Sequence, residues 1–283
     1  MALVALSFAT PVAARELREG GKLLLTGGVS SLEGAAGGGL ATWSVIAGDE
    51  TDAGIGGAVH ATLVALPDFD LKSYGGAVGI FDRVEFSYAH QSFDTRAAGA
   101  ALGLGRGFIF SQDVFGAKLR VAGDAVYGQD SLLPQISVGV QHKRAAQEAV
   151  IRAVGGGSAS GTDFYVAATK VILARSLVVN ATVRFTKANQ TGLLGFGGDK
   201  GNRYTAQLEG SAGLLVSRRL LLGAEMRTRP SNLRFAREDD AYDLFAAYAA
   251  TRRFSLTAAY VDLGSIATIK GQRGAFLSLR GSF

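Results

Sequence analysis

Ionisable side chains recur in this sequence at every second position of several apolar segments. In the clearest segment, Asn180, Thr182 and Arg184 alternate with aliphatic residues. A period of two is that of a β-strand, so the polar side chains share one face. Ten charged residues, five acidic and five basic, occupy such positions: Glu85, Lys118, Arg120, Asp124, Arg184, Glu209, Glu225, Arg227, Asp243 and Arg280. Such a face can line a water-filled path for polar solutes, or its charges can pair into a closed ionic interior.

The residue types that catalysis or metal binding would need are not arranged for it. The chain has no cysteine, and His60, His90 and His142 are scattered on or near apolar strand faces. HExxH, CxxC and GxSxG motifs are absent. The glycine-rich run at 103–107 lies in a long connection and lacks the strand-to-helix context of a phosphate loop. We therefore predict no enzyme activity, no catalytic residue, no metal site and no cofactor.

The composition favours a membrane-embedded β-structure. Of the 283 residues, 48% are apolar, and the mean hydropathy is +0.21. The longest interior stretches without a charge are 34–48 and 53–67, each of 15 residues. Both are shorter than the roughly 20 apolar residues of a membrane-spanning helix. In a bilayer, an apolar chain without such a helix can pair all of its backbone N–H and C=O groups by forming a closed β-barrel. The formal charge of +5 is dispersed, so we expect no nucleic-acid partner.

The connections between the predicted strands alternate in length. Four tight turns share one chemistry: Asp82-Arg83, Ala174-Arg175, Arg218-Arg219 and Arg252-Arg253. Long polar or glycine-rich connections at 94–113, 144–162, 188–202, 229–240 and 264–273 lie between them. Short turns at one end and long loops at the other are typical of bacterial outer-membrane barrels. The fold class is therefore all-β, a closed antiparallel transmembrane β-barrel. We expect about 14 strands beginning with 21–28 and 39–47, or 12 if this glycine-rich beginning does not pair.

Burial of charge decides which face of each strand points inward. A charge facing lipid would cost on the order of 2–4 kcal/mol at mid-depth, so the ten charged side chains should face the lumen. Aromatic residues near the strand ends favour interfacial belts in the membrane. These are Phe81, Phe93, Phe115, Phe185, Tyr204, Tyr242, Phe254 and Tyr260. Side chains alone should not fill so wide a barrel, which favours a channel, open or narrowed by an inserted loop.

Two segments outside the strands carry separate predictions. Residues 1–14 are apolar and end in Val12-Ala13-Ala14, a pattern typical of the end of a secretory signal peptide. We assign 1–14 to the remnant of such a signal and 15–283 to the barrel. Residues 144–154 predict a short helix ended by Gly155 to Gly157, on the outer rim or folded into the lumen.

The last segment, 274–283, alternates apolar and polar residues and ends in Phe283. It resembles the terminal assembly signal of Gram-negative outer-membrane barrels, which implies the barrel-assembly machinery and outer-membrane lipid as partners. The stretches 20–30 and 33–40 resemble a family of uncharacterised proteobacterial outer-membrane proteins. That resemblance covers nearly the entire mature chain and implies the fold and the bacterial outer membrane, but no functional residues. Long-chain fatty-acid transporters are similar barrels with an N-terminal hatch, but too few residues precede the first predicted strand here for a hatch.

These patterns predict a porin-like outer-membrane channel for small polar solutes, lined by the ten inward charges. Two alternatives stay open. One is a non-conducting structural or surface-interaction barrel whose long loops are functional. The other is a conduit for apolar solutes, for which Phe164, Val166 and Ile172 are the candidate apolar lumen cluster.

Overall fold

The computed structural model describes residues 21–49 and 54–283, which form a closed antiparallel barrel of twelve strands. Each strand pairs with its neighbour in the chain, and the last pairs with the first across a seam from Ser282↔Ala58 to Ala275↔Ala65. The strands are β1 (Ile55–Ala65), β2 (Asp70–Ile80), β3 (Val84–Asp94), β4 (Ile109–Ala122), β5 (Gln135–Ala145), β6 (Ser160–Ile172), β7 (Leu177–Thr186), β8 (Thr205–Ser217), β9 (Leu220–Arg227), β10 (Ala241–Ala249), β11 (Phe254–Asp262) and β12 (Arg273–Ser282). The closed barrel is confirmed, with 12 strands rather than the favoured 14.

The two ends of the barrel differ as the sequence predicted. The connections 81–83, 173–176, 218–219 and 250–253 lie at one end, which we call the short-turn end, together with 123–134. The connections 95–108, 146–159, 187–204, 228–240 and 263–272 lie at the opposite, long-loop end, where 66–69 is the one short link. Phe283 also lies at the short-turn end, where its backbone N–H donates to the oxygen of Gly57 over 2.9 Å.

Alternation places apolar side chains on the outer wall and polar ones inside. On β7, Val183 and Phe185 are exposed, whereas Thr182 and Arg184 are buried. Most of the aromatic residues predicted for the membrane interface are exposed on this outer wall. Phe93 is the exception, because it faces inward and stacks on Phe69 with ring centroids 5.0 Å apart.

Residues 21–49, which we call the plug, lie inside the barrel. The chain enters at the short-turn end, where Lys22 pairs with Asp82 over 2.9 Å. It reaches a tip at residues 33–34 and returns, so that the N–H of Gly21 donates to the oxygen of Asp49 over 3.1 Å. Nearly every residue from 25 to 48 is buried. Its secondary structure is one short pair, Val29–Ser30 with Ala36–Gly37.

The plug corrects two predictions from the sequence. Residues 21–28 and 39–47 are not wall strands, which is why the barrel has twelve strands. The argument against an N-terminal segment in the lumen was also wrong, because the glycine-rich beginning of the described chain is that segment. The predicted signal remnant, 1–14, lies outside the described residues.

The long loops carry the remaining structure. A helix at Glu148–Ala153 is followed by Gly155 at φ +90°, close to the predicted 144–154. Its Ile151 is buried, and the strand Gly156–Ser158 after it pairs with Phe196–Gly198. A second short helix spans Ala98–Ala101. Across the described ranges, the helices are all too short to cross a membrane.

Candidate functional site

The ten charged residues predicted to line a pore all lie on the inner side of the wall or at its short-turn rim. Glu85, Lys118, Arg184, Glu209, Glu225, Arg227, Asp243 and Arg280 are buried. Arg120 and Asp124 lie at the rim, 3.1 Å apart, and Arg120 also binds Asp82. The structure therefore gathers these residues around the plug. A role in lining a solute path stays a prediction.

Six buried groups form a central ionic cluster at the plug tip, toward the long-loop end. They are Glu33 of the plug with Lys143, Asp163, Arg184, Glu209 and Arg227 of the wall. Glu33 binds Lys143 and also contacts Arg227 at 3.1 Å and Arg184 at 3.5 Å. Lys143 in turn contacts Asp163 at 2.8 Å. Three acids and three bases cancel, so the plug carboxylate completes the charge balance of the wall.

The electrostatics of Glu33 favour its charged form. Burial by itself raises the pKa of this carboxyl, but Arg227, Lys143 and Arg184 together outweigh burial and hold the pKa well below its usual range. Glu33 is therefore an ionised anchor for the plug at neutral pH.

Sequence reasoning missed Glu33, Lys143 and Asp163 as members of this cluster. The parity of β5 could have found Lys143, because it shares a face with the buried Ser137 and Gln141. For Glu33 there was no such signal, since the plug has no strand period.

Two wall carboxylates bind the backbone of the plug near its return. The N–H of Leu40 donates to Glu225 over 2.7 Å, and the N–H of Thr42 donates to Glu209 over 2.8 Å. A methyl group on Gly38 would overlap the carboxylate of Glu225, so a glycine is needed for this close approach. Wall side chains thus satisfy plug backbone groups that no sheet satisfies.

A third carboxylate, Glu85, binds the returning arm of the plug at both of its ends. It accepts from the N–H groups of Ala36 at 3.2 Å and Ala47 at 2.8 Å, and it pairs with Lys118 at 3.1 Å. Lys118 also donates to the oxygen of Val45 over 2.8 Å. This pair clamps the start and the end of the returning arm to the same place on the wall.

Uncharged side chains add to the attachment. The indole N–H of Trp43, the sole tryptophan, donates to Ser211 over 2.8 Å. The N–H of Ser44 donates to Thr169 over 2.8 Å, and Ser137 donates to the oxygen of Ser44 over 2.6 Å.

The attachments are distributed unevenly around the wall. In the part of the chain that the structure describes, hydrogen bonds from the plug concentrate on β2 to β9, eight of the twelve strands, which for brevity we call the bound half. On the facing half, β10 to β12 and β1, Ser282 donates to Asp49 over 2.9 Å at the short-turn end. Elsewhere on this half, the ring of Phe276 lies against Gly39 of the plug, and Phe245 belongs to the same apolar cluster as Leu25 and Val29.

A cavity lies at each end of the plug. At the short-turn end, a cavity of about 980 Å³ separates the plug from the turns of β8 to β12, with Arg280 and Ser282 in its wall. At the long-loop end, an apolar cavity of about 130 Å³ is roofed by the long loops and floored by Leu32 and Leu40 of the plug.

The predicted apolar lumen cluster is wrong, because Phe164 and Val166 lie on the outer wall. The apolar lining of the long-loop cavity comes instead from residues that include Phe69, Phe93 and Phe110.

One histidine also departs from its expected position. His60 faces inward, and its Nε2 lies 3.3 Å from the hydroxyl of Ser73. The Ser73 hydroxyl donates to the oxygen of Leu32, so this pair supports the plug and is not presented to a substrate. His142 lies exposed on the outside, as the alternation predicted.

Comparison with solved structures gives the same architecture. The KdgM porin in complex with disordered oligogalacturonate is similar with a TM-score of 0.52 at 9% identity, covering 80% of this chain and 99% of that chain. A second KdgM porin structure gives 0.50 at 8% identity, with 80% and 99% covered. The COG4313 outer-membrane channel from Pseudomonas putida F1 gives 0.47 at 12% identity, with 81% and 94% covered. The KdgM likenesses show an outer-membrane porin fold.

No curated protein matches the sequence. A family model described as "Protein of unknown function (DUF3034)" matches residues 26–280, which include most of the plug and the whole barrel up to Arg280. The chain therefore belongs to the DUF3034 family, whose function is unknown.

Proposed function

We propose that this protein is an outer-membrane channel for small polar solutes, and that the plug closes it at rest. The observation that carries the proposal is the one-sided attachment of the plug. Buried ion pairs and carboxylate–backbone bonds hold it to β2–β9, whereas on the facing half its contacts are mostly apolar. A plug held along one side can shift away from the other side without losing its ionic anchors.

The lining of the facing half suits a polar solute. Its inward side chains include Ser255, Thr257, Ser278 and Thr62, all buried in the plugged state. The cavity of about 980 Å³ opens from the short-turn end along this half. Movement of the plug toward the bound half would extend that cavity along hydroxyl-bearing strands.

The apolar outer wall and the porin fold support an outer-membrane location. For assembly, we propose that β12 is the strand that the barrel-assembly machinery recognises. The oxygen of Phe283 accepts from the N–H of Gly57 over 2.8 Å, so this end of the chain seals the seam. Replacing Phe283 by alanine should lower the yield of assembled barrel in cells while leaving the function of assembled molecules unchanged.

The absence of native cysteine allows a direct test of plug movement. Asp49 of the plug and Ser282 of β12, on the facing half, have side-chain oxygens 2.9 Å apart. Disulfides span about 3.5–4.5 Å between Cβ atoms, so a small adjustment allows Asp49→Cys and Ser282→Cys to join and to hold the plug against the side that it must leave. A matched control, Thr62→Cys with Ser278→Cys, joins two wall strands whose hydroxyl groups lie 2.7 Å apart.

The measurement is swelling of proteoliposomes in sugars and amino acids of graded size. Because the plug shifts reversibly away from the facing half, the native protein and both reduced variants should admit small solutes slowly during the measurement. Oxidation should stop uptake by the plug-to-wall variant and leave the wall-to-wall control unchanged. Uptake that survives the plug-to-wall cross-link would contradict closure by the plug. A correctly folded native barrel that admits none of these solutes would overturn the channel and leave a non-conducting structural or surface-interaction barrel.

The long-loop cavity favours a second candidate, a conduit for apolar solutes. Its volume of about 130 Å³ is close to the ~150 Å³ of engineered apolar cavities that bind benzene. The same proteoliposomes decide between the candidates, because an apolar conduit predicts protein-dependent uptake of a benzene-sized compound and none of sugars.

A further inference from the structure

Six arginines at the tight turns form a collar around the short-turn end of the barrel. They are Arg83, Arg175, Arg218, Arg219, Arg252 and Arg253, which we call the arginine collar, and all six side chains are exposed. Five of them lie on three consecutive hairpins, β6–β7, β8–β9 and β10–β11. Within 21–49 and 54–283, none of the six forms an ion pair. Asp82, the neighbour of Arg83, is occupied by Lys22 and Arg120.

Some exposed arginines at the long-loop end do have partners. Arg96 pairs with Asp70 at 2.6 Å, Arg273 with Asp262 at 2.7 Å, and Arg152 with Glu148 at 3.2 Å. The side chains of these three arginines are 42%, 62% and 54% exposed. The collar differs because all six of its arginines lack an ion-pair partner among the described residues, although Asp49 and Asp130 lie at the same end.

The collar also lies at a defined depth in the membrane. Each of its turns adjoins an outward apolar residue of the wall: Phe81 beside Arg83, Leu173 near Arg175, Val216 near Arg218 and Phe254 beside Arg253. The guanidinium groups therefore mark the edge of the apolar wall, where lipid headgroups lie. Arginine at that depth extends its apolar stem along the wall and its charge toward phosphate.

We propose that the arginine collar binds the phosphate groups of anionic glycerophospholipids in the leaflet at the short-turn end. The arrangement fits lipid because the arginines follow the circumference rather than converge on one pocket, and each turn pairs a cation with an apolar contact. A phospholipid offers both parts, a headgroup phosphate and an acyl chain. Guanidinium groups bind phosphate through two parallel hydrogen bonds, which adjacent pairs such as Arg252-Arg253 can supply.

The test uses the full-length barrel in detergent, mixed with equal amounts of phosphatidylglycerol and phosphatidylcholine. Native mass spectrometry then counts which lipids stay bound. The collar variant is R175Q/R218Q/R219Q/R252Q/R253Q. The matched control removes five exposed arginines from the long-loop end, R106Q/R144Q/R203Q/R234Q/R237Q. Both variants lose the same charge, so a general loss of basicity affects them equally.

The native protein and the control variant should retain phosphatidylglycerol in preference to phosphatidylcholine, and the collar variant should lose the preference. An arginine near a membrane surface changes anionic-lipid affinity about fivefold, so the combined loss should exceed tenfold. Equal retention of both lipids by the native protein, or equal loss in the two variants, would overturn the proposal. So would displacement of the bound lipid by millimolar inorganic phosphate, which would indicate a free-phosphate site. The result does not depend on conductance, because a closed barrel has the same collar.

Discussion

The bound half and the facing half of the wall hold the same plug by different means. On β2–β9, buried carboxylates and cations bind the plug backbone and Glu33. On β10–β12 and β1, the plug meets apolar side chains, with Phe276 against Gly39 and Phe245 in the apolar cluster that contains Val29. A buried ion that loses its partner is left uncompensated, whereas a lost apolar contact costs only its buried area. The bound half should therefore fix the position of the plug, and the facing half should be the side that opens.

The largest expected effect comes from Glu33→Gln. This change leaves the central ionic cluster with an excess positive charge and should release the plug tip. Removing one partner of a buried ion pair costs about 3–5 kcal/mol, so the released population should rise by more than a hundredfold. The readout is a cysteine at Ser44, which is 0% exposed in the plugged state, probed with a membrane-impermeant thiol reagent.

The double variant E33Q/K143M serves as the control for charge balance. It again leaves equal numbers of acids and bases, so it should recover part of the protection of the cysteine at position 44. Each variant must keep the heat-dependent gel mobility of a folded barrel. If the cysteine at position 44 reacts no faster in the E33Q variant than in the native background, the ionic cluster does not anchor the plug.

A smaller effect is expected from Gly38→Ala. The added methyl group would overlap the carboxylate of Glu225, and overpacking of this kind costs about 1–3 kcal/mol. Because Trp43 is the sole tryptophan and is buried, its emission should shift to the red and acrylamide should quench it more strongly. Gly27→Ala is the matched control, since a methyl group there meets its nearest atoms at an ordinary 3.7 Å. Equal quenching in both variants would contradict the close approach at Gly38.

The wall of this barrel could be predicted from the sequence, and the plug could not. Alternation on β7 places Arg184 inward from local information alone, because lipid excludes the other orientation. The plug instead satisfies its backbone through residues far apart in the chain, such as Leu40 with Glu225, 185 positions away. In the sequence, the glycines of the plug look like those of a weak strand. A glycine shows where another group can approach the backbone closely, but not which residue makes that approach. The lumen charges were thus predicted without their function as plug anchors.

The third prediction concerns pH. The pKa of Glu33 is held below its usual range, so its ionised form stabilises the plugged state. A released Glu33 would titrate near about 4.3. The stabilisation is therefore complete above that value and is lost as pH falls through the lower pKa of the plugged state. Quenching of Trp43 by acrylamide should stay flat from pH 8 to about 5 and rise below about 4. The E33Q variant should lack that rise, and an identical rise in both proteins would assign it to another group.

The smallest effects come from a matched pair of serine-to-alanine changes, one on each half of the wall. Ser211 on the bound half accepts from Trp43 and donates to Glu225 over 2.6 Å, so Ser211→Ala removes a hydrogen-bond partner from each of two buried groups. Ser282 on the facing half donates to Asp49, and both line the cavity at the short-turn end. Ser211→Ala should cost about 1–3 kcal/mol of plug attachment, and Ser282→Ala about 1 kcal/mol or less, because water replaces its hydrogen bond. Thiol reactivity of a cysteine at Ser44 ranks the two, and equal or reversed rates would mean that the two halves hold the plug alike.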